Sequence, residues 1–172
     1  MKSVLISIQP KWCELIASGK KTVEVRKTRP KTNLPFKVYI YCTKDEPLYE
    51  SGEKFYIPAA NDFGNGKVVG EFVCDRIEEI GFSPYNHGEY VCIEDSFIQQ
   101  SCLPFDKMFA YLGEEYGYGW HISDLKIYDK PKELGKFRYY NVSVKIENGV
   151  VLPTHKIKRP PQSWCYVEGV TE

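Results

Sequence analysis

Apolar positions in this chain fall into short runs separated by turn residues, with few stretches of sustained helical spacing. Val4–Ile8 is rich in β-branched residues and predicts a first strand. Pro10 stands where a helix can begin, because its missing N–H is harmless in a first turn. Trp12, Leu15 and Ile16 then follow at helical spacing through Ser18, and Gly19 supplies a C-terminal stop. From Thr22 the period changes to two: Thr22, Glu24 and Arg26 share one face of a strand, Val23 and Val25 the other. Phe36–Cys42 is a near-continuous apolar run, as expected of a strand covered on both sides. Lys67–Ile77 predicts another strand, with Gly70 as a bulge or a point of close approach. Pro104–Leu112 predicts a second helix with Phe105, Met108, Phe109 and Leu112 on one face. Gly117–Gly119 is expected to turn, Trp120–Tyr128 to form an alternating strand, Lys130–Gly135 to link, Phe137–Ile146 to form a weaker strand and Trp164–Val167 to close the sheet. Residues 43–65 read as a loop or insertion, and 81–102 are acidic and without clear period. The expected fold class is α+β, a mostly-β barrel-like domain with two or three short helices.

At 172 residues the chain fits a single domain, 1–172. Eleven Pro and thirteen Gly suit many turns, and thirteen of the aromatic residues are Tyr. The net charge of zero hides a segregation: residues 1–40 carry +7, 41–124 carry −11 and 125–172 carry +4. An even total argues against whole-surface nucleic-acid binding but permits one basic face if the terminal segments meet. None of the six Cys forms a Cys-x-x-Cys pair, so neither a zinc knuckle nor a thioredoxin-like site is indicated. His87, Cys92 and Cys102 match no metal-site spacing, so no metal or other cofactor is expected. The start of the chain reads as a strand rather than a signal peptide, and no apolar run is long enough to span a membrane. With reduced cysteines this points to the cytoplasm, and to no membrane partner.

The stretch Gly-Lys-Lys-Thr-Val-Glu-Val-Arg at 19–26 concentrates charge beyond what core packing requires. Either its polar face meets a ligand or it forms a structural salt bridge. As an exposed pair such a bridge would contribute only about 0–1 kcal/mol, which favours the ligand role. Arg26 offers a planar fork for phosphate, Lys21 a point charge for the same partner, and Glu24 an acceptor for a base's amino edge or for Arg26 itself.

The pattern G-x-K-x-x-E-x-R, as Gly19, Lys21, Glu24 and Arg26, together with the strand and helix before it and the strand after it, resembles the ASCH domain family, a branch of the PUA-like β-barrels. The resemblance covers the first forty or so residues well and extends more loosely through Gly70-Glu71 and the strand at Trp120–Tyr128. It implies a cleft lined by the motif's polar residues beside the first helix, and binding of RNA or a nucleotide. The segments 43–65 and 81–118 would be elaborations on the barrel. One branch of the family hydrolyses N4-acetylcytidine with a Lys, a Thr three residues later and a distant Glu. Lys21 matches that Lys, but Glu24 stands where the Thr is required.

Further residues fit a nucleic-acid role. Lys27, Arg29 and Lys31 form a basic loop. Lys158 and Arg159, in a stiff Pro-rich approach, precede Trp164, a candidate for base stacking. Trp12 and Trp120 are weaker stacking candidates that core packing accounts for better. His121 shares a strand face with Ser123 and reads as a structural group or an acid/base residue. Three functions follow: an RNA- or nucleotide-binding module using Lys21, Glu24, Arg26, Lys27, Arg29, Lys158, Arg159 and Trp164; a small hydrolase of a modified nucleoside, with Lys21 as base or anchor and Glu24 or Glu71 as acid/base; or a protein-interaction module built on the acidic middle, 43–124, with an unknown partner.

Overall fold

The computed structural model describes residues 1–44, 48–50, 53–55, 65–81, 93–113, 116–140, 146–147, 150–151 and 156–170. The chain divides into two compact units. One comprises Met1–Cys13, Lys37–Glu71 and Lys126–Glu172, the other Glu14–Phe36 and Phe72–Leu125.

The first unit holds most of a five-stranded sheet. Strands β1 (Lys2–Ile8), β3 (Phe36–Cys42), β6 (Lys67–Cys74), β9 (Ser123–Lys132) and β12 (Trp164–Glu168) line up in the order β12-β1-β3-β6-β9. β1 runs parallel to β3 and antiparallel to β12. The central strands β1 and β3 are buried almost throughout, which is why both read as continuous apolar runs. One core gathers Leu5, Tyr39, Tyr41, Val68, Phe137, Ile157 and Val167. Gly70 is a point of close approach between strands: a Cβ there would lie 2.6 Å from the Lys126 carbonyl oxygen. Short ladders pair β4 (Leu48–Glu50) with β5 (Glu53–Phe55) and β10 (Ile146–Glu147) with β11 (Val150–Val151).

The second unit packs two helices on a three-stranded antiparallel sheet of β2 (Val23–Arg26), β8 (Gly117–His121) and β7 (Ile77–Ile80), in the order β2-β8-β7. Val23 and Val25 meet Ile80, Phe97, Met108 and Leu112, the last three supplied by α2 (Asp95–Ser101) and α3 (Phe105–Leu112). The first helix, α1 (Pro10–Ala17), carries the chain from one unit into the other, and Gly19 ends it with φ +73°.

The α+β class and the helices α1 and α3 agree with the sequence pattern, and the third helix, α2, falls within 81–102, a segment without clear period. Both larger sheets are open among the described residues, without barrel closure. Gly117–Gly119 is not a turn but the first half of β8. Both glycines make room for packing: a Cβ on Gly117 would lie 2.6 Å from Leu112, and one on Gly119 2.4 Å from the Phe97 ring. The expected strand at Trp120–Tyr128 is broken at Ile122, with Asp124 at φ 46°, and β9 continues to Lys132 through much of the expected linker. Within the expected strand Phe137–Ile146, residues 138 and 139 make isolated bridges, Arg138 with Lys156 and Tyr139 with Val167, and 141–145 lie outside the described residues. On α3 only Met108 and Leu112 of the expected apolar face are buried, and Phe105 and Phe109 are exposed. Most of 43–65, and 82–92 within 81–118, lie outside the described residues, as do His87 and Cys92.

Candidate functional site

Strand β2 is fixed at its start by two backbone hydrogen bonds from neighbouring elements. The Thr22 N–H donates to the Gln100 carbonyl at 2.8 Å, and the Thr22 carbonyl accepts from Ile122 N–H at 2.9 Å. From there the ladder sets Glu24 opposite Trp120 and Arg26 opposite Tyr118. Residues directly opposite in an antiparallel pair share a face. Glu24, Arg26, Tyr118 and Trp120 therefore lie together, away from the valine core.

That polar face is buried. Lys21 is 3% exposed, Glu24 6% and Arg26 7%. Glu24 sits between the two cations, with Oε2 3.2 Å from Lys21 Nζ and Oε1 2.9 Å from Arg26 Nη2. Lys21 Nζ also donates to the Ser101 carbonyl at the end of α2, at 2.6 Å. The turn presenting that carbonyl is held locally. Ser101 Oγ donates to the Ile98 carbonyl and accepts from Leu103 N–H, while Cys102 takes φ 53° and points Sγ at the Lys20 carbonyl. Trp120, opposite Glu24, is fully buried and meets Phe36 edge-on at 5.9 Å. The exposed ion pair expected from the alternation is thus a buried triad of net charge +1. The weak energetics of surface pairs do not apply to it.

Beyond Arg26 the chain leaves the sheet edge with Lys27, Arg29 and Lys31 exposed. Arg29 lies over the Tyr118 ring at 5.5 Å and Lys27 over Tyr111 of α3 at 5.4 Å. Both fall within cation–π range.

The family model of the ASCH domain matches residues 6–144 of the chain. The chain belongs to the ASCH domain family. Its fold is also that of ASCH proteins of known structure. The crystal structure of ASCH from Zymomonas mobilis is 19% identical, with a TM-score of 0.59 over 96% of this chain and 87% of that one. Two single-substitution variants of that protein, each 18% identical, give TM-scores of 0.59 and 0.58, over 96% and 98% of this chain and 88% and 91% of theirs. No curated protein matches in sequence.

The remaining candidates of this ASCH chain fall into separate groups. Glu71, in the first unit, accepts from Lys37 Nζ at 2.7 Å and from Tyr128 Oη at 2.5 Å. Burial pushes its carboxyl up, but the Lys37 and Tyr128 hydrogen bonds outweigh this and hold it below the ordinary range. The Glu71 hydrogen bond in turn raises Lys37 against the opposing effect of burial. Gly70 beside it is filled by the backbone of β9 rather than open to a ligand. Lys158 and Arg159 are exposed, also in the first unit, on a segment pinned to β1 by Ser7 N–H to the Ser163 carbonyl and Ser7 Oγ to the Pro161 carbonyl. Trp164 is half-buried on edge strand β12, edge-on to Tyr166 at 5.4 Å, with Lys2 Nζ 3.7 Å over the Tyr166 ring. His121 has Nδ1 3.1 Å from Arg76 Nη2 and Nε2 3.1 Å from Glu78. A guanidinium only donates, so Nδ1 accepts and Nε2–H faces the carboxylate. Ser123 donates instead to the Val73 carbonyl. Among the described residues no group of three His, Cys, Asp or Glu side chains could hold a metal ion, and no helix is long and apolar enough to cross a membrane.

Sequence reasoning missed Ser101, Tyr111 and Tyr118. Ser101 carried no signal, because α2 is a mostly polar heptapeptide, and Tyr118 was hidden by the two glycines around it.

Proposed function

We propose that this ASCH protein binds RNA or a nucleotide at the motif and along the basic loop that follows it. The observation that carries this reading is the exposed run of Lys27, Arg29 and Lys31, which leaves the sheet edge directly after the Lys21–Glu24–Arg26 cluster of the motif. A row of exposed cations favours an anionic partner, and phosphate is the anion Arg and Lys bind in nucleic acids. Lys158, Arg159 and Trp164 form a second group of the same chemistry, a basic approach to a half-buried indole. The ASCH family as a whole is generally proposed to bind RNA. In this reading the chain, 1–172, works in the cytoplasm as one PUA-like, barrel-derived domain elaborated at 43–65 and 81–118.

The geometry favours binding over nucleoside hydrolysis. Lys21 donates in its contacts with Glu24 and Ser101, a poor arrangement for a base, and Glu24 is held between two cations. The experiment is filter binding of RNA at graded salt. Lys27→Ala with Arg29→Ala should weaken binding and lower the salt slope by about 0.7 for each phosphate no longer neutralised, and Lys158→Ala with Arg159→Ala should do the same. RNA affinity no greater than that for polyglutamate would overturn the proposal.

A further inference from the structure

The loop leaving β2 places two cations over two tyrosines on opposite sides of the sheet edge. Strand β2 is the edge of its sheet. Tyr118 projects on the triad's face, directly across the ladder from Arg26, and Arg29 lies over its ring at 5.5 Å. Tyr111 belongs to α3, which packs against the opposite, valine-bearing face, and Lys27 lies over its ring at 5.4 Å. Tyr118 is partly exposed and Tyr111 is 40% exposed, a large exposure for an aromatic side chain. Each ring thus has an exposed cation over it and is itself partly open to solvent.

We infer that Tyr118 and Tyr111 are base-stacking platforms for single-stranded RNA that passes over the edge of β2, an inference that rests on the nucleic-acid reading above and names the form of nucleic acid it takes. A base that stacks on a tyrosine displaces the cation from the ring face. The displaced Arg29 or Lys27 remains next to that nucleotide's phosphate, where its charge is worth more than over a neutral ring. A duplex fits neither requirement. Its bases are already stacked inside the helix, and its stiffness over ~150 base pairs prevents it from bending around one strand edge. A single strand has free base faces and can bend there. An acidic peptide would engage the cations but gain nothing from the rings.

The test compares four probes by fluorescence anisotropy: a labelled oligouridylate of about 10 nucleotides, an abasic strand of the same length, an RNA duplex and polyglutamate. The variants are Tyr111→Ala, at an exposed helix position, and Tyr118→Leu, which keeps apolar bulk in the ladder and removes the π face. Thermal melting confirms that both are folded. The expected result is oligouridylate bound above the other three probes, with each Tyr variant losing roughly 5- to 150-fold for oligouridylate and nothing for the abasic strand. If the Tyr variants bind oligouridylate like the parent while Lys27→Ala with Arg29→Ala weakens it, stacking is overturned and the charge-based reading stands. Equal binding of duplex or of polyglutamate overturns single-strand selection. If the parent binds neither oligouridylate nor the abasic strand, both readings fall.

Discussion

Replacing Glu24 by Gln preserves shape and changes one charge, so it isolates the electrostatics of the triad. In the parent, Glu24 contacts Lys21 at 3.2 Å and Arg26 at 2.9 Å, and all three residues are less than a tenth exposed. Glu24→Gln removes the carboxylate from both contacts and sets a neutral amide beside ammonium and guanidinium in a poorly hydrated setting. Removing one partner of a buried pair costs about 3–5 kcal/mol, because an uncompensated charge remains. Here one carboxylate serves two cations, which puts the expected loss at the upper end of that range. Lys21→Met behaves differently. It brings the triad to neutrality, leaves the Glu24–Arg26 contact intact and sacrifices the hydrogen bond to the Ser101 carbonyl, a loss of about 1–3 kcal/mol. For a chain of this size a kcal/mol corresponds to about 2–4 °C in Tm, so Glu24→Gln should melt roughly 10–20 °C below the parent and Lys21→Met clearly above Glu24→Gln. Urea unfolding followed by both circular dichroism and tryptophan fluorescence measures the losses and checks that the probes coincide. A Glu24→Gln loss below about 1 kcal/mol, typical of solvent-screened pairs, or a Lys21→Met loss larger than that of Glu24→Gln, would refute the reasoning.

Three further outcomes are expected. Gly119→Ala places a Cβ 2.4 Å from the buried Phe97 ring and 3.0 Å from Val23, so it should destabilise the chain by roughly 1–3 kcal/mol in the same unfolding assay, whereas Gly135→Ala, which meets nothing within 4 Å, should not. Glu71 is held below its ordinary value of 4.5, so its contribution is present above that value and lost as pH falls through the lower folded one. Lys37 is raised above 10.5, so its contribution is present below that value and lost as pH rises past the folded one. Acid unfolding of Glu71→Gln should accordingly converge with the parent at low pH and diverge from it at neutral pH; parallel curves would contradict this. Burial pushes the Cys74 thiol up to about 12 and the Cys165 thiol up to about 11, so iodoacetamide at neutral pH should label both only after unfolding, as read by peptide mass mapping.

The N-terminal third was legible because its signals are local and agree with one another. Pro10, the spacing of Leu15 and Ile16, the left-handed Gly19 and the alternation from Thr22 each act over a few residues, and α1 and β2 lie close to where they were expected. Helix α2 was not legible, since the heptapeptide Asp-Ser-Phe-Ile-Gln-Gln-Ser buries only Phe97 and Ser101 and forms by docking rather than by its own period. Gly117 and Gly119 gave the wrong signal for a physical reason: a missing side chain marks a turn or a packing contact equally well, and here Leu112 and Phe97 fill the space. At the site, the residue types were legible and their burial was not. The Ser101 carbonyl that takes the Lys21 hydrogen bond and the Trp120 set across the ladder from Glu24 each come from roughly eighty or more positions away, and alternation within a strand says nothing about what will close around it.

The hydrogen bond between Lys21 and the Ser101 carbonyl ties the motif to a partner eighty residues downstream. Motif and α2 therefore form a matched set for recombination. A chimaera that exchanges residues 1–40 between two ASCH proteins inherits the ammonium and Glu24 without the carbonyl at Ser101, unless the turn at Ser101–Cys102 travels with them. A lineage that sheds α2 likewise comes under pressure to replace the lysine, so substitutions at 21 and deletions around 95–102 should occur together in the family tree.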